Sequence, residues 1–196
     1  ITHEKRKNLG AAASRNIGIH CAIFSYIAFL DADDFFLENR FVEFSKCLKK
    51  KVKFDGLYEP VQYLNGNEKV YGISRSIPSK KLLHFLIRGT YGHFHTNGII
   101  VKKDLLIRSG LFVESLDLHE DSDLWLKLAF YGILISGKTF IPVSKVRRHD
   151  GNRIWKGTSK QSRLKQWRVS WNWAKSEKVG FLNKLLILRK ILSYLI

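Results

Sequence analysis

The chain has 196 residues, with 34 Lys+Arg against 17 Asp+Glu and a formal charge of +17. Apolar residues make up 45% and aromatic residues 13%, enough for the core of one domain, which excludes a disordered basic tail. Two cysteines, Cys21 and Cys47, exclude a disulfide scaffold and a cysteine-built zinc site, and read as reduced thiols of a cytoplasmic protein. No apolar run reaches the roughly 18 residues that a membrane span needs. The chain opens at Ile1, contains no Met and shows no signal-peptide pattern, so a fragment of a longer protein is expected.

Residues 5–24 predict a helix, with Leu9, Ala12, Ala13, Asn16, Ile17, His20 and Cys21 near the 3.6 period. Tyr26 to Leu30 is a short apolar run ending in Asp31-Ala32-Asp33-Asp34, the pattern of a buried strand at its carboxyl edge. Residues 38–50 return to helix. Residues 56–64 and 68–73 predict a hairpin around Asn65-Gly66. Pro78 starts a helix that ends near Gly89, and 96–102 reads as a strand. A helix over 118–131 is closed by Gly132. Strands come next at 133–136 and 140–146, then helices at 160–177 and 180–195. Helix alternating with apolar strand predicts an α/β sheet domain.

The acids fall into two clusters. In an extended chain Asp31 and Asp33 project to the same side and offer two carboxylates to one spot. Ligand crevices of open α/β sheets lie beyond the carboxyl ends of the strands, and hard Mg²⁺ or Mn²⁺ ions want such oxygens. The alternative is a turn in which Asp33 or Asp34 caps a following helix. The second cluster opens the helix over 118–131. Asp123 lies four residues before Lys127, which reads as an exposed ion pair. Glu120 lies three residues after Asp117, a capping-box spacing that also suits the helix dipole. Asp121 has Trp125 and Leu128 as its i+4 and i+7 neighbours, which puts it on the apolar face, where it meets a partner or lines a cleft as a general base.

Arg15-Asn16-Ile17-Gly18-Ile19, followed by Tyr26 to Asp34, resembles the middle of the family 2 glycosyltransferases, which have the GT-A fold. Ser109-Gly110-Leu111-Phe112-Val113-Glu114 and His119 to Leu128 resemble the Gly-x-Phe-x-Glu and Glu-Asp segments of that family. Arg147-Arg148-His149 resembles its Arg-x-His element. The resemblance implies a partial GT-A (Rossmann-like) mixed sheet flanked by helices over 1–153, with a basic helical extension over 154–196. It implies an inverting, metal-dependent transfer of sugar from a nucleotide-sugar donor to a glycan or lipid-linked acceptor, in surface polysaccharide or lipopolysaccharide biosynthesis. Asp121 would be the catalytic base. Asp31, Asp33, Arg15, Glu120 and Arg148 would bind substrate, and Asp33, Asp34 and His149 a divalent Mn²⁺ or Mg²⁺. The strand, helix and second strand that hold the nucleotide base in the family have no counterpart upstream of residue 8, so an N-terminally truncated domain is expected. Arg163-Leu164-Lys165-Gln166-Trp167 exchanges the Gln and Arg of the processive synthases' Gln-x-x-Arg-Trp, which predicts a non-processive enzyme.

Residues 143–196 carry 14 Lys/Arg against Asp150 and Glu177, or +12 of the +17. Trp167 and Trp171 lie among them, and residues 181–196 hold eleven apolar residues interrupted by Lys184, Arg189 and Lys190. Such helices either lie in the headgroup layer of an anionic membrane, peripheral on its inner face, or pack on the body with their lysines in water. A nucleic-acid-binding module would suit the charge, but the chain lacks RNA-recognition, zinc-finger and helix-turn-helix signals, so no nucleic acid is expected. A nucleotidyltransferase would open on a Gly-rich phosphate loop, which is not visible.

Overall fold

In the computed structural model, which describes residues 10–64, 69–147 and 159–196, helical and strand periodicities resolve into fifteen α and β elements. In order these are α1 (Gly10–Cys21), β1 (Tyr26–Ala28), β2 (Phe35–Phe36), α2 (Val42–Lys49), β3 (Gly56–Tyr58), β4 (Val61–Leu64), β5 (Val70–Tyr71) and α3 (Ser79–Arg88). A 3₁₀ turn (Thr96–Gly98) leads into β6 (Ile99–Lys102), then α4 (Lys103–Arg108), α5 (Glu120–Tyr131), β7 (Leu134–Ser136), β8 (Ser144–Arg147), α6 (Lys160–Ser176) and α7 (Phe181–Leu195).

The strands form two mixed sheets, in the orders β1-β6-β3-β7 and β2-β8-β4-β5. Within the first, β6 runs antiparallel to both β1 and β3, and β3 runs parallel to β7. In the second, β8 is antiparallel to β2 and parallel to β4. β1 lies at the edge of its sheet, with β6 as its neighbour among the described strands. The core between helices and sheet is built from Leu82, Leu86, Ile99, Val101, Leu105, Leu124, Trp125 and Leu128, all buried. Trp167 and Ala174 of α6, Val179, and Ile187 and Ile191 of α7 belong to the same cluster, so the two basic helices pack on the body. Gly89 ends α3 as expected, in the left-handed conformation at φ 71° that suits glycine.

Several expectations differ from the structure. The strand expected over 56–64 divides at Pro60, which has no N–H for a ladder. The chain passes there from the first sheet to the second, where Val61 and Gln62 pair with Tyr71 and Val70 of β5. The Asn65-Gly66 turn lies outside the described residues. Residues 103–108, for which the sequence pattern predicts no element, form α4. Residues 31–34 are not extended. The backbone N–H of Asp34 donates to the Asp31 carbonyl at 3.0 Å, closing a turn, so the shared-side argument for Asp31 and Asp33 does not hold. The β1–β6 ladder ends at the Ala28–Ile100 pair, while Ile99 of β6 still pairs with Tyr58 of β3. The turn leads into β2 rather than a helix, which removes the capping role for Asp33 and Asp34.

The Asp123–Lys127 pair forms at 2.6 Å but is buried, with the two side chains 0% and 8% exposed. The i,i+4 spacing holds and the expected solvent exposure does not, because α6 covers this face of α5. Ser170 Oγ of α6 donates to Asp123 Oδ1 at 2.6 Å. The Asp117 capping box does not form either: its carboxylate is 94% exposed, and His119 is the N-terminal flanking residue of α5, with no side-chain cap.

A second buried pair sits between the sheets. Arg40 Nη1 lies 3.5 Å from Glu59 Oε2, while its Nη2 donates to the Ile99 carbonyl at 2.9 Å. Gly98 lies so close to the Glu59 carbonyl that a Cβ would collide with it. Burial pushes the Glu59 carboxyl up to about 7, and the neighbouring guanidinium offsets only part of this. Burial also lowers Arg40 to about 10, so desolvation outweighs mutual attraction on both sides.

Both pairs lend themselves to stability measurements. Lys127→Met leaves a buried carboxylate uncompensated and should cost about 3–5 kcal/mol in urea unfolding. Adding Asp123→Leu should restore most of that loss, and equal stability of single and double variants would contradict the buried pair. For Glu59, whose folded value lies above its ordinary 4.5, the stabilisation from proton uptake is full below pH 4.5 and is lost as pH rises through about 7. Wild-type Tm should therefore fall across that window relative to Glu59→Gln, and a constant difference would contradict the assignment.

Candidate active site

The site is built around one guanidinium. Arg15 of α1 donates from Nη2 to Asp31 Oδ1 and from Nη1 to Glu120 Oε1, both at 2.8 Å. Its Cζ lies 5.4 Å from the Phe112 ring centroid. Burial opposes the charge on Arg15, but Asp31 and Glu120 together outweigh it and hold the group above its ordinary value. Burial raises Glu120, Asp121 adds to that, and Arg15 holds it back. Next in sequence, buried Asn16 donates from Nδ2 to the Phe112 carbonyl and to Glu114 Oε1, both at 2.9 Å. Its Oδ1 accepts from the Phe112 N–H at 3.0 Å. Arg15 and Asn16 thus tie α1 to the strand-end turn, to the 112–114 segment and to the start of α5.

The strand-end turn is held from behind by Asn97, which is fully buried. The Asp31 N–H donates to Asn97 Oδ1 at 3.0 Å, and Asn97 Nδ2 donates to Asp34 Oδ2 at 2.6 Å. The Arg147 N–H, at the end of β8, donates to Asp34 Oδ1 at 2.8 Å. Burial raises the Asp34 carboxyl, and these two donors restrain the rise. Asp33 is exposed at the tip of the turn.

At the start of α5, Asp121 is half-buried, and its Oδ1 accepts from the backbone N–H and hydroxyl of Ser122. Among the described residues no donor reaches Oδ2. Trp125 and Leu128, on the same stripe, are fully buried, so Asp121 stands at the half-buried end of the apolar face. His119, just before the helix, has φ 66°, a left-handed conformation that costs energy in a histidine. Burial lowers His93, His95 and His119, the last to about 4, while Asp121 opposes the shift in all three. His95 also feels Asp31 and Asp34. Asp31, Asp34 and Asp121 therefore all act electrostatically on the one imidazole of His95.

Of the residues singled out in the sequence, Arg15, Asp31, Asp33, Asp34, Glu120 and Asp121 are brought together here. Arg148 and His149 lie outside the described residues. No group of three or more His, Cys, Asp or Glu with metal-binding geometry occurs among the described residues. Sequence reasoning missed Asn97, His93 and His95. The polar Thr96-Asn97-Gly98 directly before the apolar Ile99–Val101 was the available signal for Asn97, and nothing in the pattern marked the histidines.

Comparison with known proteins gives three findings. The sequence model of the family described as "Glycosyltransferase like family 2" matches residues 1–141. An uncharacterized glycosyltransferase of Rickettsia felis is 30% identical over 177 residues, which is 83% of this chain and 26% of the relative. One from Methanocaldococcus jannaschii is 26% identical over 129 residues, 63% of this chain and 42% of that one. The chain thus spans about a quarter of the Rickettsia relative's length. Among solved structures, S. aureus TarS 1–349 in complex with UDP-GlcNAc is similar at TM-score 0.72 and 15% identity, over 94% of this chain and 52% of that one. Its complex with UDP gives 0.68 at 14% identity, over 96% and 52%. The fold is the GT-A fold expected from the sequence.

Asn97→Leu should cost about 1–3 kcal/mol, because the Asp31 N–H and the Asp34 carboxylate are left unpaired. Denaturant unfolding checks this, and unchanged stability would remove Asn97 as the support of the turn.

Proposed function

The chain belongs to the glycosyltransferase-like family 2, and on that premise we propose that it transfers a sugar from a nucleotide-sugar donor to an acceptor hydroxyl, with inversion at the anomeric carbon. The observation that carries this reading is the Arg15 bridge, at 2.8 Å to both Asp31 and Glu120, which joins the strand-end acids to the α5 acids. The UDP-GlcNAc and UDP complexes of the S. aureus neighbour support a uridine diphosphate sugar as donor.

Asp121 acts as the general base. Its Oδ2 takes the proton of the acceptor hydroxyl as that oxygen attacks the anomeric carbon. The bond from that carbon to the diphosphate oxygen breaks, and its electron pair leaves with the diphosphate. A sugar hydroxyl is a poor nucleophile without such a positioned base. Asp31 and Asp33 contact the ribose or the donor sugar, with Arg15 and Glu120 fixing Asp31 from behind. Arg148 is assigned to the diphosphate.

The donor set at the turn is hard oxygen, which suits Mg²⁺ or Mn²⁺ held by one or two carboxylates with phosphate oxygens completing the shell. Asp33 and Asp34 would hold it, since each Asp34 oxygen keeps a second lone pair beside its N–H donor. His149 is assigned as a third ligand. When bound, such a cation neutralises charge developing on the leaving diphosphate.

Surface polysaccharide or lipopolysaccharide assembly, at the inner face of a membrane, is the setting proposed for this chemistry. The exposed Phe181, Leu182, Leu185 and Leu192 of α7, beside Lys184, Arg189 and Lys190, support contact with an anionic lipid surface. Among the described residues no helix is long and apolar enough to cross a membrane.

Asp121→Asn in the complete protein should lower sugar transfer by roughly 100- to 10,000-fold while sparing Mn²⁺-dependent UDP binding. Asp33→Asn should weaken that binding. Near-normal turnover in the Asp121 variant would remove it from the base role.

A further inference from the structure

The 3₁₀ turn that carries Asn97 is capped by a histidine. The Asn97 N–H donates to His95 Nδ1 at 3.2 Å, and the Gly98 N–H donates to the His95 carbonyl at 2.9 Å. Ser, Thr, Asp and Asn are the usual caps, each through a side-chain oxygen. A histidine brings a second ring nitrogen that the cap does not use. With Nδ1 accepting, the neutral ring carries its proton on Nε2, which makes that atom a donor. Burial lowers the His95 imidazole, so it stays neutral at pH 7 although Asp31, Asp121 and Asp34 pull the other way. Among the described residues no acceptor meets Nε2.

The half-buried ring is held in one orientation. Tyr63 and Tyr71 stand nearly perpendicular to it, at 81° and 83°, with centroids 5.9 and 6.3 Å away. Their own rings lie 5.5 Å apart. Burial raises the Tyr71 phenol and Asp121 adds to that, so Asp121 acts on both members of this ring contact. Two residues after His95, Asn97 binds the Asp31 N–H and the Asp34 carboxylate. His95 is therefore within electrostatic reach of the acids assigned to the donor and of the acid assigned as base. In the proposed reaction the anomeric carbon passes from the diphosphate oxygen to an acceptor oxygen beside Asp121. The part of the donor that lies between those two points is the sugar ring, whose hydroxyl oxygens accept hydrogen bonds.

We propose that His95 is a specificity-determining contact for the transferred sugar, its Nε2–H donating to one of that sugar's hydroxyl oxygens. This rests on the transferase reading above and adds the residue that reads the donor's sugar. A neutral N–H serves this task better than a cation, which the neighbouring carboxylates would capture. A site built to hydrogen-bond one hydroxyl also disfavours sugars that lack it or carry it elsewhere.

The test separates the two ring nitrogens. In His95→Asn the side-chain oxygen stands near the place of Nδ1 and keeps the cap, while the donor at Nε2 is gone. In His95→Gln the amide nitrogen reaches the place of Nε2 and the cap is given up. Titration calorimetry on the complete protein uses UDP, UDP-glucose and UDP-GlcNAc, each with Mn²⁺. His95→Asn should weaken at least one UDP-sugar by about three- to tenfold, the worth of one hydrogen bond, and leave UDP unchanged. His95→Gln should restore the affinity for that UDP-sugar. The imidazole ¹⁵N spectrum of the wild type should show a protonated Nε2, whose resonance moves with that UDP-sugar and not with UDP. An Asn variant unchanged toward both UDP-sugars, equal weakening of UDP, a loss in the Gln variant alone, or a proton on Nδ1 would overturn this inference and leave the transferase reading standing. Failure of the wild type to bind UDP or either UDP-sugar would overturn the transferase reading and this inference with it.

Discussion

The Arg15 guanidinium is the constraint on which the site depends. Four carboxylates, from Asp31, Asp34, Glu120 and Asp121, lie near Arg15 and His95, and their mutual repulsion would drive the strand-end turn and the start of α5 apart. One fork-shaped cation, only 18% exposed, joins one acid from each side at 2.8 Å. A lysine could not span both partners with the same fixed geometry. The bridge also rests on the Phe112 ring, whose own backbone is bound in both directions by Asn16. Two adjacent residues of one helix therefore set the distance between elements about a hundred residues apart in sequence.

The turn that bears Asp31, Asp33 and Asp34 lies where the two sheets come together. Asn97 enters from the first sheet, just ahead of β6, and the Arg147 N–H from the end of β8 in the second. The Arg40–Glu59 pair performs a similar joining task deeper in, next to Gly98. Polar groups are thus concentrated at the seam between the sheets, while the outer flank of the first sheet is filled by aliphatic and aromatic packing from α3, α5, α6 and α7. A site at a seam can be precise without being enclosed, because Asp31, Asp34 and Glu120 are held from behind by Arg15 and Asn97 rather than by a wall in front.

Much of this was legible from residue order. The apolar run ending in acids located the strand edge, Gly89 marked the end of α3, and the Arg-Asn and Asp-x-Asp-Asp spacing pointed to the family. What failed was tertiary in origin. Asp123 and Lys127 look like a surface pair on an isolated helix, and only the docking of α6, with Ser170 reaching Asp123, buries them. Asp31 and Asp33 look extended together, but the Asp34 N–H closes a turn on the Asp31 carbonyl, and Asn97 from a distant segment holds it. Asn97, fully buried, and His95, largely so, act through groups more than sixty residues away or through space, which no local period can report. The half-buried position of Asp121, by contrast, follows from its helical neighbours alone, since buried Trp125 and Leu128 fix which way that face must turn.

Among the described strands β1 stands at the rim of its sheet, which bears on the colloidal behaviour of this 196-residue chain. The outer side of a rim strand offers backbone donors and acceptors to any extended chain that approaches, and exposed Ile23 and Phe24 beside it add stickiness. A formal charge of +17 opposes the approach of two copies at that rim through long-range repulsion. Ionic strength weakens repulsion over a Debye length while leaving hydrogen bonding and apolar contact nearly untouched. Concentrated salt therefore removes the shield and keeps the glue, so the molecule is best dispersed in dilute electrolyte.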